Sequence, residues 1–236
     1  MSWKEIKIGD IGEVITGNTP PKNCPQYYGN AYKFIKPTDM EIGQRFTPKT
    51  EECYSFEGFK KYEKSLIPPL STCVVTIGSI GKKMTMTDEA SFVNQAVNAV
   101  IPNQNLYDPY FIFYALKNIL HKVKNADTGA SSGRENVSKS NFCSLTLNVP
   151  EDIEEQRRIA NKLSSLDDLI ENNLKRIKLL EEAAQNIYKE WFVNFRFPGW
   201  QNAKFDEESG LPDGWKKINL YEFAEVQMGF PFNAKD

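Results

Sequence analysis

Apolar and polar positions along this chain change their rhythm twice. Up to about residue 149 the apolar residues come in short runs, "YKFIKP", "TCVVTIG", "KKMTMTD" and "FVNQAVNAVIP", separated by Gly, Pro, Asn and Asp. Short runs rich in β-branched residues and bounded by turn formers predict strands. One segment breaks the pattern. In "DPYFIFYALKNILHKVK", Asp108 is a predicted N-cap with Pro109 at the first helical position. Ile112, Ala115, Leu116, Ile119, Leu120 and Val123 then share one helical face. Residues 1–149 are expected to form an α+β globular domain with a twisted β-sheet and few helices.

From Pro150 the rhythm becomes heptad. "PEDIEEQRRIANKLSSLDDLIENNLKRIKLLEEAAQNIYKEWF" has no Gly and no further Pro, is rich in helix formers, and opens with acidic residues that suit a helix N-terminus. Leu163, Ile170, Ile177, Ala184 and Trp191 occupy one seam position; Leu166, Asn173, Leu180 and Ile187 occupy the other. This pattern predicts one long coiled-coil helix over 150–197, with Leu163, Leu166, Ile170, Ile177, Leu180 and Ile187 as its pairing residues. A surface helix lying on the domain's own core is the competing reading, and length weighs against it. Forty residues at about 1.5 Å each extend about 60 Å, more than a small domain can cover. The seam is therefore expected to meet a helix from another chain, or from a second half of the same architecture.

Pro198 and Gly199 end the helix, and a polar, acidic linker follows over 198–214. Residues 215–236 then restart the beginning of the chain: "WKKINLYEFAEVQMG" aligns without a gap on "WKEIKIGDIGEVITG". Trp3 matches Trp215, Ile6 matches Ile218, Glu13 and Val14 match Glu225 and Val226, and Gly17 matches Gly229. The offset of 212 residues (215 minus 3) is far longer than a solenoid repeat. The repeating unit is thus a whole domain with its helix and linker, and 215–236 is expected to be the start of a second unit. Val226, Phe230 and Phe232 are expected to seek cover on a folded domain.

Composition narrows the class. With 40% hydrophobic and 25% charged residues the chain reads as soluble and globular. It contains no apolar run of about 18 residues and no signal-like N-terminus, so a cytoplasmic, non-membrane protein is expected. Cys24, Cys53, Cys73 and Cys143 are scattered, which suggests neither a zinc site nor a disulfide framework. The net charge of −2 argues at first against nucleic acid. Its distribution reverses that, because residues 1–149 carry 17 Lys and Arg against 14 Asp and Glu, and the excess of acid lies further on.

Catalytic motifs fail on inspection. His121, the single histidine, falls near the C-terminus of the predicted domain helix on its solvent side. "TIGSIGKK" resembles a phosphate loop, but Thr76 stands where its first glycine belongs and Lys83 follows Lys82 where Ser or Thr is needed. "LYDPYF" lacks the second proline of an adenine methyltransferase motif, and Asp108 and Pro109 are read as a helix start. No catalytic residue, metal ligand or bound cofactor is assigned.

Polar loops remain. "GSIGKK" offers glycines, Lys82 and Lys83; "TGASSGRENVSKS" holds Arg134 and Asn136; "KPTD" and "NQ" add further donors and acceptors. Arg suits guanine O6 and N7, Asn suits adenine N6 and N7, and Lys suits phosphate.

Together, "IGEVITGNTPPK", "YKFIKPTDM", "GSIGK" with "FVNQAV", "NVPEDIEEQRRIANKLSSLDDLIE" and "YKEWFVNFRFPG" resemble, in that order, the DNA-specificity subunit of type I restriction-modification systems. The resemblance covers the whole chain. It implies a target-recognition domain over 1–149 followed by a spacer helix, in a family whose subunits carry two such domains with their helices paired antiparallel. It further implies a non-catalytic subunit that reads double-stranded DNA. Modification subunits would methylate adenine with S-adenosylmethionine, and restriction/translocase subunits would join for cleavage, so ATP and Mg are expected on partners. The residues expected to face DNA are Lys36, Thr38, Ser79, Lys82, Asn94, Gln95, Arg134 and Asn136. With one domain and one helix here, two copies are expected to pair as a homodimer. The alternatives are a coiled-coil interaction protein with a protein-binding head, and a fragment of a fused restriction-methylation enzyme.

Overall fold

The computed structural model describes residues 2–126 and 135–229. In chain order the head contains β1 (Trp3–Lys7), β2 (Gly12–Thr16), β3 (Tyr28–Gly29), β4 (Tyr32–Ile35), β5 (Glu52–Tyr54), α1 (Phe56–Tyr62), β6 (Thr72–Val75), β7 (Met84–Met86), β8 (Ser91–Val93) and β9 (Val97–Pro102). Then come α2 (Pro109–Asn125), α3 (Lys139–Ser144), β10 (Thr146–Pro150), α4 (Ile153–Tyr188) and a short α5 (Leu220–Phe223). Two compact units result, Met1–Asn172 and Asn173–Asp236.

In the first unit, β2-β9-β6-β7 form an antiparallel sheet, and β3-β5-β4-β8 a second sheet with one parallel pair, β4 and β8. Alternate residues of the central strands serve different cores. Val74, Val100, Met84 and Met86 pack with Ile112, Leu116 and Val123 of α2, whereas Cys73, Val75, Val97 and Ala99 pack with Ile35 and Val93 of the second sheet. A sheet covered on both faces favours apolar residues on both of its sides, and this is why Cys73, Val74 and Val75 of β6 read as an unbroken apolar run. The outer face of the second sheet carries an aromatic cluster in which Tyr54 and Phe92 stack at 4.0 Å.

The helix α2 starts as its sequence predicts. The Asp108 carboxylate accepts from the Phe111 N–H at 2.8 Å, and Ile112, Leu116, Ile119 and Val123 are buried. The run "FVNQAVNAVIP" instead breaks into β8 and β9, which belong to different sheets. Asn94 makes the break: its side-chain oxygen accepts from the Ala96 N–H at 3.1 Å, and its carbonyl accepts from the Val97 N–H at 3.1 Å. An Asn side chain that closes its own turn competes with strand continuation.

The strand β10 returns to pair with β1, Trp3 opposite Pro150, and α4 starts directly after it. The Asp152 carboxylate accepts from the Glu154 N–H at 3.0 Å. Gln156 and Ala160 are buried against the head. Beyond them Leu163, Leu166, Ile170, Ile177, Leu180 and Ile187 are 38% to 68% exposed, so among the described residues the seam has no cover. The first turns of α4 thus do lie on the domain's own core. The expected end at 197 comes earlier: α4 stops at Tyr188, a five-residue π-helical turn covers Lys189–Val193, and Phe195 takes the left-handed region at φ 54°.

In the second unit, Trp215 gathers Phe192, Phe195 and Phe197 at ring distances of 5.5 to 6.4 Å. The restart from Trp215 forms no strand among the described residues. It keeps only α5 over Leu220–Phe223, which at an offset of 212 overlays the 3-10 turn Ile8–Asp10 of the first copy. A local turn forms from its own residues, whereas β1 and β2 exist because β10 and β9 are there to pair with them. Val226 is 52% exposed, contrary to the expectation of cover, while Phe230 and Phe232 lie outside the described residues.

Candidate nucleic-acid interface

Loops from both sheets meet at one edge, and a chain of hydrogen bonds fixes them there. After β2, Gly17 and Asn18 donate backbone N–H groups to Val97 and Val93 at 3.2 and 3.0 Å, and the Thr19 hydroxyl donates to Gln95 at 2.6 Å. Asn94 N–H donates to Ile35 at 3.3 Å, tying the 94–96 turn to the end of β4. Thr76 and Ile77 both donate to the Ala96 carbonyl, at 2.8 and 3.3 Å. Ile77 bridges Asn136, and Lys83 Nζ reaches the Pro37 carbonyl at 2.9 Å. Segments 17–19, 36–39, 76–83, 94–96 and 135–137, distant in sequence, therefore share one edge.

Gly17 allows the close approach this edge needs, since a Cβ there would lie 2.0 Å from the Val93 carbonyl oxygen. Gly81 adopts φ 73°, and its turn rests on α2, where an added Cβ would meet Lys124 at 3.2 Å. The glycines of "GSIGKK" thus shape the turn. The Gly78 N–H is already engaged with the Glu135 carbonyl at 3.1 Å.

The expected DNA-facing residues divide by what surrounds them. Thr38, Ser79, Lys82, Gln95 and Asn136 are exposed on these loops, and Lys82 has no acidic partner among the described residues. Asn94 is half-buried and holds its own turn. Lys36 is committed elsewhere: Nζ bonds Glu51 at 2.8 Å and Glu52 at 2.9 Å. Burial would lower its pKa, and the two carboxylates more than reverse this, raising it above the usual lysine value. Its charge is neutralised locally, which leaves it little attraction for a phosphate. Arg134 lies outside the described residues.

Other residues at this edge escaped the sequence reading. Asn18 accepts from the Tyr54 hydroxyl at 2.8 Å and donates to Ser65 at 2.9 Å, setting the basic stretch at the end of α1 near the 17–22 loop. Lys22, Lys60, Lys61 and Lys64 are exposed there or nearby along α1, without carboxylate partners among the described residues. "KKYEK" was a visible signal. Only the fold shows that it adjoins the other loops.

Elsewhere in the first unit an open groove of about 660 Å³ is lined by Trp3, Phe111, Asn118, Ile159 and Leu163, and no residue of the loop edge lines it. Among the described residues no cluster of His, Cys, Asp or Glu has the makings of a metal site. No helix there is long and apolar enough to cross a membrane.

An α+β head with polar loops collected at one sheet edge, joined to a long helix with an uncovered seam, has the architecture of a binding scaffold. The chain belongs to the family described as type I restriction modification DNA specificity domain, whose sequence model matches residues 1–182. It is 27% identical over 232 residues to the type I restriction enzyme MjaIX specificity subunit of Methanocaldococcus jannaschii, covering 96% of this chain and 52% of that protein. It is 30% identical over 150 residues to the HindI specificity subunit of Haemophilus influenzae, covering 63% of this chain and 32% of that protein. The crystal structure of a type I restriction-modification S subunit from M. genitalium shares the fold with a TM-score of 0.63 at 19% identity, over 81% of this chain and 46% of that one. The chain thus spans about half the length of the M. jannaschii relatives it matches.

Proposed function

We propose that this chain is the sequence-reading element of a type I restriction-modification complex, and that it directs adenine methylation and cleavage carried out by other subunits. The observation that carries this reading is the convergence of loops from two sheets at one edge, in a chain of the specificity family. In this reading Thr38, Ser79, Gln95 and Asn136 meet base edges or sugars, Lys82 meets phosphate, and Arg134 reads a base. The head itself performs no chemistry. Modification subunits bring S-adenosylmethionine, and restriction subunits bring the ATP- and Mg-dependent steps, in the cytoplasm where the DNA lies.

The uncovered seam of α4 accepts a second helix. Two copies pairing antiparallel about a two-fold axis would bury Leu163, Leu166, Ile170, Ile177, Leu180 and Ile187 in an isologous interface. The DNA target is then a palindrome with a spacer.

Duplex-binding measurements on single variants test the reading. Lys82→Ala should weaken specific and nonspecific duplexes alike and lower the salt slope by about one. Arg134→Ala should relax preference at one base pair by roughly 1–3 kcal/mol. If both variants bind every duplex as the wild type does, the interface is elsewhere.

A further inference from the structure

The head holds α4 well beyond its buried first turns, and among the described residues the outermost hold is one arginine. Arg45 precedes a bridge between Phe46 and Met86, and its carbonyl accepts from the Met86 N–H at 2.7 Å and the Thr85 hydroxyl at 3.1 Å. Its backbone is therefore fixed to the edge of β7. Its side chain, 5% exposed, crosses to α4, where Nη2 bonds Asp168, and Nε and Nη2 reach the two Glu171 oxygens at 3.1 Å each. The guanidinium also lies over the rings of Phe46 at 4.7 Å and Tyr110 at 5.7 Å. Asp168 and Glu171 are three residues apart, so both face the head. Below them the Tyr114 hydroxyl donates to Asp167 at 2.8 Å.

The compact unit containing the head ends at Asn172, one residue past Glu171. Arg157 and Arg158, by contrast, pair with Glu154 and Glu155 of their own helix and reach no carboxylate of the head among the described residues. Burying an arginine between two carboxylates is a poor route to stability, because desolvation offsets most of the attraction. It is a good route to a fixed direction, since a bidentate, stacked guanidinium tolerates little movement.

We infer that Arg45 is a positioning residue that sets the direction in which α4 leaves the recognition head. It thereby sets the separation at which a complex carrying two heads accepts the two halves of its DNA target. This rests on the sequence-reading function proposed above. The lever is long enough: Glu171 to Tyr188 extends about 26 Å at 1.5 Å per residue. A tilt of about 8° would displace its far end by about 3.4 Å, one base-pair step.

The test uses the full chain and duplexes in which the half-sites selected by the wild type are held at every separation. Arg45→Met removes the hold, keeps apolar contact with Phe46 and Tyr110, and leaves Asp168 and Glu171 in water. Asp168→Ala with Glu171→Ala removes it from the helix side by deleting every acceptor oxygen, and circular dichroism confirms folding of both. The expected result is unchanged half-site sequence, lone half-site affinity within about twofold, and a roughly tenfold loss of preference for the best separation over its neighbours. Retention of the sharp separation preference by a folded variant overturns the inference and leaves sequence reading intact. No half-site enrichment by the wild type overturns the sequence-reading proposal as well.

Discussion

Gln156 shows how much a single side chain can hold. Its amide donates to the Pro150 carbonyl at 2.9 Å and to Leu106 at 3.3 Å, while its oxygen accepts from the Asp108 N–H at 2.9 Å. One residue of the "EQRRIA" motif thus joins the end of β10 and the start of α2 to α4. Gln156→Leu would leave the Pro150 carbonyl buried without a partner and the Asp108 N–H and Leu106 carbonyl partly covered, and chemical denaturation should show a loss of roughly 1–3 kcal/mol. Thr72 presents the opposite case, a buried hydroxyl with no partner among the described residues. Thr72→Val should be neutral or raise stability by about 1 kcal/mol in the same measurement. Cys73 is fully buried, and burial pushes its thiol up to about 12. A group whose pKa is raised stays protonated below that value, so at pH 8 Cys73 supplies almost no thiolate and should resist iodoacetamide until the chain unfolds. Mass spectrometry of the native protein should find label on Cys24 or Cys53 and none on Cys73. None of these roles was legible in the sequence, where Gln156 reads as one more polar residue on a helix surface. Its burial follows from β10 returning to β1 across nearly the whole head.

At the scale of elements, legibility followed the range of the interactions. The helix α2 was readable because its cap, its Pro109 and its apolar face all lie within one segment. The helical character of α4 was readable for the same reason, although Phe195 in the left-handed region ends its π-helical extension sooner than Pro198 suggested. The run 92–102 reads as one strand because a largely apolar stretch does not reveal that its halves enter different sheets, and Asn94 is the local sign of the break. The pairing of β1 with β10 had no local signature at all. Gly17, matched in the repeat by Gly229, belongs to the same class of long-range requirement. Gly17→Ala should cost at least about 2–3 kcal/mol by forcing the Val93 backbone away. Because Val93 leads into the 94–96 turn, the same change should also weaken duplex binding, as fluorescence anisotropy on the folded fraction can show.

For the whole molecule, the loops expected to face DNA could be named from composition, but not weighed. Lys36 and Lys82 are equivalent as letters. The structure separates them, because Glu51 and Glu52 stand beside the first and no carboxylate stands beside the second among the described residues. The heptad seam was likewise plain in the sequence, and the structure adds that the head covers the turns before it, at Gln156 and Ala160, and leaves its pairing residues exposed. If two copies complete the scaffold through that seam, Ile177→Glu should convert a dimer to a monomer in sedimentation equilibrium while leaving the head folded. Above these contacts stands the proposed reading of DNA sequence by the head at the loop edge. Selection from a randomised duplex library by the full chain, repeated with Gln95→Ala and Asn136→Ala together, tests it most directly. The wild type should enrich a defined motif, and the double variant should lose preference at particular positions of it. Duplexes retained by the wild type without any enriched sequence, or a motif unaltered in the double variant, would contradict it.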